Sequence, residues 1–84
     1  MSRHFNYVDD CMEILKTLIE WDEPITKTEL VLLLGKEKNF AHELGLLNAL
    51  AFAELISFTV SHDDPRLVWV KIEPLGRMIY DERK

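Results

Sequence analysis

Apolar residues along this chain change their spacing twice, and each change marks a new element. Between Tyr7 and Trp21, Val8, Cys11, Met12, Leu15, Leu18 and Ile19 recur at helical spacing, which predicts an amphipathic helix with one buried stripe. Asn6 stands where it can cap that helix, and Asp9 lies in the first turn, where a carboxylate suits the helix dipole. Pro24 closes the unit. Thr26-Lys-Thr-Glu29 has the form of a capping box, with Ile25 and Leu30 at the positions of a hydrophobic staple. A short second helix is expected from there to about Leu34, stopping at Gly35, where positive φ costs little. Lys36, Glu37 and Lys38 make the next turn, and Asn39 can cap a third helix that ends before Ile56. Its expected core face is Phe40, Leu44, Leu47, Leu50 and Ala51.

From Ser57 the period falls to two. Phe58, Val60 and His62 alternate with polar residues, and Val68, Val70 and Ile72 alternate on the return with Leu67, Trp69 and Lys71. Asp63, Asp64, Pro65 and Arg66 interrupt the pattern, so the segment reads as a hairpin with a polar tip. Pro74 suits the first position of a last helix, with Leu75, Met78 and Ile79 turned inward and Asp81 to Lys84 frayed. Helix, turn, helix and hairpin together make an α+β fold, mainly α. The layout is a winged helix-turn-helix with three helices, a wing of two strands that Ile25 can extend to three, and a C-terminal helix. Residues 1–84 are expected to form one such domain.

Composition narrows the class further. The chain is 48% apolar and 30% charged, a globular balance and not a disordered one. No run approaches the ~18 apolar residues of a membrane span, and the first ten residues lack the apolar core of a signal peptide. Cys11 is the one cysteine, so no internal disulfide can form, and a reducing cytoplasm is the expected compartment.

The second half resembles MarR-type transcriptional regulators. Leu50, Leu55 and Ile56 at the end of the third helix carry the resemblance, with Asp63-Asp64-Pro65-Arg66 at the wing tip, then Val68, Val70, Ile72 and the Gly76-Arg77 pair. It covers roughly residues 24 to 80. The resemblance implies a recognition helix, here the third, and contacts to duplex DNA. Lys36 and Lys38 before that helix, Arg66 at the wing tip and Lys71 on the outer wing face would be the places that touch phosphate or enter the minor groove.

The third helix has an unusual surface for that role. Ala41, His42, Gly45, Asn48, Ala49 and Phe52 are expected to face outward, and no Lys or Arg lies between Phe40 and Ile56. Only His42 and Asn48 can hydrogen-bond a base edge; as plain solvated residues they would do nothing. The net charge of −5 opposes long-range attraction to nucleic acid. Ala41, Gly45, Ala49 and Ala53 recur every four residues as a ridge of small side chains, the kind over which a second helix packs closely. That helix is either a partner's, for example in a homodimer, or the domain's own first or second helix. Trp69 is either an exposed interface anchor or lies under the last helix.

For catalysis the residues offer no nucleophile with a base and no phosphate loop. His62-Asp63-Asp64 lacks a full ligand set, so no metal, cofactor or enzyme activity is expected. Two functions remain: a regulator-like DNA-binding protein, or a winged helix used for protein contact. The positions of the few cations put DNA first.

Overall fold

The computed structural model describes residues 7–35 and 39–83. Asn6, Lys36 and Lys38, and the expectations placed on them, lie outside these residues. Four helices and three strands follow in order: α1 (Tyr7–Trp21), β1 (Ile25–Thr26), α2 (Lys27–Leu33), α3 (Phe40–Phe52), β2 (Ile56–Val60), β3 (Val68–Ile72) and α4 (Pro74–Arg83). The fold is the expected α+β winged helix, and the wing is three-stranded.

α1 buries Ile14, Leu15 and Leu18, with Cys11 and Met12 half-buried beside them. The expected stripe omitted Ile14 and included Val8, which is exposed. The reason is geometric: α1 is packed from several sides, by α3, α4 and β3, so its buried arc is wider than a single i, i+4 row. Asp22, at positive φ, then turns the chain out of the helix and donates its N–H to the Leu18 carbonyl at 3.2 Å.

α2 starts as its sequence dictates. The Glu29 amide donates to Thr26 Oγ1 at 3.2 Å, and the Thr26 amide reaches back to Glu29 Oε1 at 3.4 Å, completing the capping box. Ile25 and Leu30 flank it and are both buried. Gly35 ends the turn at φ +70°, a conformation costly for a side chain.

α3 presents Leu46, Leu47 and Leu50 to the core, together with Glu43. Phe40, Leu44 and Ala51, expected inside, lie on one flank, where Phe40 is exposed and the others are half-buried. Asn39 does not cap with its side chain: its φ of −118° and ψ of 41° lie outside the extended region that an N-cap needs. The helix closes at Ala53 and at Glu54, which takes positive φ. Leu55 then donates to the Leu50 carbonyl at 2.9 Å and enters β2.

The sheet order is β1-β3-β2, antiparallel throughout, with Phe58 opposite Val70 and Val70 opposite Ile25. Val70 is fully buried at this junction. The strands are shorter than the alternation suggested, and His62 falls in the wing turn. The hairpin tip is closed by the Ser61 amide to the Leu67 carbonyl at 3.0 Å and the Leu67 amide to the Asp64 carbonyl at 2.9 Å.

α4 docks through backbone, not through the expected Leu75 and Met78, which are both exposed. The Leu55 carbonyl accepts the Glu73 amide at 3.0 Å, and Gly76 lies so close to that oxygen that a β-carbon would overlap it. With Gly76 as the point of contact, Ile79 and Tyr80 follow on the inner face and Leu75 and Met78 rotate to the flanks. The helix continues through Arg83, so Asp81 to Arg83 are helical where fraying was expected.

Candidate nucleic-acid interface

The outward face of α3 matches the expectation at most positions. Ala41, Gly45, Asn48, Ala49 and Ala53 are exposed, and Phe52 is 92% exposed. The ridge of small residues is therefore not covered by the other described helices. Nothing lies within 4 Å of where a β-carbon on Gly45 would stand, so that glycine serves no close approach within the described residues. Asn48 points to solvent from the middle of this face.

His42 differs. It is half-buried on the flank of α3 that meets α1, with Nε2 3.5 Å from Asp10 Oδ2 and 4.0 Å from Glu43 Oε2. It is turned toward the helix packing, away from the surface that Asn48 occupies. Burial, with the Asp10 and Glu43 charges, pushes the neighbouring Cys11 thiol above its ordinary value, so Cys11 stays a protonated packing group.

On the opposite flank, three elements converge. Thr26, Lys27 and Thr28 at the start of α2, Phe40 and Leu44 of α3, and Arg66, Leu67 and Val68 of the wing line a shallow groove of about 210 Å³. Lys27 holds its Nζ 4.1 Å over the Phe58 ring, within reach of a cation–π attraction. The Arg66 side chain is 90% exposed but not free. Its Nε and Nη2 donate to the two carboxylate oxygens of Asp64 at 3.1 and 3.3 Å, and its amide donates to Asp64 Oδ1 at 3.0 Å. These bonds hold the Asp64 carboxyl below its usual range. Arg66 thus stands beside the α3 flank, with its charge largely offset at the tip.

Lys27 and Thr28 were missed by the sequence reading. The capping box at Thr26 fixed them as the first residues of α2, but only the tertiary arrangement sets them beside the wing. Lys71 is exposed and belongs to a different place, a groove of about 530 Å³ shared with Leu18, Pro24 and Arg77. Trp69 is half-buried beside Pro24 and Thr59, in a groove to which α4 contributes no lining residue.

Four helices around a three-stranded wing, with α3 as the presented helix, define a winged-helix domain, similar to those of MarR-type structures. The structure matches MarR from E. coli in its apo form with a TM-score of 0.74 at 21% identity, over 86% of this chain and 51% of that one. It matches a MepR variant from S. aureus, bound to an oligodeoxyribonucleotide, with a TM-score of 0.77 at 18% identity, over 86% and 51%. The transcriptional regulator BldR from Sulfolobus solfataricus gives 0.72 at 25% identity, over 87% and 50%. At such identities the likeness establishes the fold. The chain spans about half the length of these regulators. No family model and no curated protein matches the sequence. Among the described residues, no helix is long and apolar enough to cross a membrane.

Proposed function

We propose that this chain is a transcription-regulator-like winged helix that associates with duplex DNA through α3 and the wing, in the cytoplasm and without catalysis. The observation that carries the reading is the groove in which Lys27 and Thr28, the first turns of α3 and Arg66 converge. Two cations and a hydroxyl stand at the rim of the helix that a winged fold presents, and Asn48 faces outward beyond them. Asn can read adenine with two hydrogen bonds, and Arg suits a narrow minor groove. Two structures of the same fold support the reading: the MepR variant bound to an oligodeoxyribonucleotide and a MarR variant complexed with operator DNA.

A second reading has its own observation. Phe52 is almost fully exposed at the end of an α3 face made of Ala and Gly, a surface suited to a partner helix or a second copy of the chain. Trp69 would extend that contact only if the partner reached the far side of the sheet.

Fluorescence titration with duplex DNA separates the two. DNA association predicts saturable binding at low salt that Arg66→Ala and Lys27→Ala each weaken. Asp64→Asn is expected to strengthen it, because it releases Arg66 from its neutralising partner. No binding at low salt would remove the DNA reading, and a dimer in light scattering under the same conditions would favour the second.

A further inference from the structure

The geometry points to a binding site for a divalent first-row transition-metal ion, Zn²⁺ among them, formed by Asp10 of α1 with His42 and Glu43 of α3. One ligand atom from each of these residues lies within 4.8 Å of the other two. The imidazole Nε2 is the shared neighbour, 3.5 Å from Asp10 Oδ2 and 4.0 Å from Glu43 Oε2. Around a tetrahedral zinc, with bonds of about 2.0–2.2 Å, ligand atoms stand roughly 3.3 Å apart. The 3.5 Å contact already stands near that separation.

Placement supports the donor chemistry. Glu43 is 2% exposed, a carboxylate on the same buried face as Leu46, Leu47 and Leu50. One imidazole with two carboxylates is a set that suits zinc and its neighbours in the first row. Three protein ligands leave a fourth position to water. The ligands come from helices 32 positions apart in sequence, so a bound ion ties the start of α1 to the first turns of α3. It would fix the angle at which α3 is presented.

Calorimetric titration of the metal-stripped, untagged chain with Zn²⁺, then with Co²⁺, tests this without DNA. One equivalent is expected to bind, and Zn²⁺ is expected to raise the melting temperature. His42→Ala and Asp10→Asn should each lower the affinity by more than about tenfold, since loss of even an outer-shell partner costs that much, and abolish the thermal shift. His62→Ala in the wing turn should change neither. Asp10→Asn preserves shape and keeps the test decisive if His42→Ala unfolds. Absence of saturable binding overturns the proposal. So does wild-type affinity in Asp10→Asn and His42→Ala, which would place the ion elsewhere. The DNA reading stands or falls separately, because no nucleic acid enters this measurement.

Discussion

Gly76 is the residue whose identity is most tightly dictated by its neighbours. Its place against the Leu55 carbonyl leaves no room for a β-carbon, and that carbonyl is already engaged by the Glu73 amide. Gly76→Ala must therefore push α4 off the sheet edge, and urea unfolding should show a loss of about 1–3 kcal/mol, the usual cost of overpacking. Asp64 makes a second prediction at this scale. Its folded carboxyl is held below the ordinary value of 3.8 by hydrogen bonds from Arg66. The stabilisation is present above that value and is lost as pH falls through the lowered one. The Arg66 amide resonance should shift with that titration, and Asp64→Asn should abolish the shift. Neither position was legible as such in the sequence: Gly76 read as part of a Gly-Arg pair, and the Asp64–Arg66 fork needed the turn that folds one onto the other.

At the scale of elements, α3 shows how far periodicity reaches. Its existence and limits follow from a four-turn run without proline, and its outward set of small residues was placed correctly. Its inward set was right at Leu47 and Leu50 but not at Phe40, because the helix meets α1 on one flank and leaves Phe40 exposed on the other, so Glu43 and Leu46 occupy the core where Phe40 was expected. Gly45 makes a direct test. It is exposed, mid-helix and unobstructed, so Gly45→Ala should stabilise the monomer by roughly 0.5–1 kcal/mol in urea unfolding. If α3 instead packs against a second copy, Gly45→Leu should reduce the oligomer seen by light scattering. A monomeric wild type would exclude that contact.

For the whole molecule, charge is the quantity that decides between partners. A net charge of −5 opposes DNA at long range, so the proposed binding would rest on a few local cations. Each phosphate neutralised contributes a slope of about 0.9 in log K against log salt. A small slope, from two or three contacts, is therefore expected, in keeping with Lys27 and Arg66 at one groove and Lys71 at another. A slope near zero with persistent affinity would argue against phosphate contacts altogether.

By itself the sequence determined the order of the helices and the wing: the capped α2, the glycine stop and the polar-tipped hairpin, with the third strand at Ile25 left open until it paired with Val70. The first three are local matters of hydrogen bonding, backbone freedom and side-chain period, so neighbours in sequence suffice to fix them. Only the tertiary structure decided which flank of each helix is buried, that His42 turns to Asp10 and Glu43, and that Lys27 stands beside the wing tip. Those outcomes depend on the angles at which helices and sheet pack, and such angles are set by residues far apart along the chain.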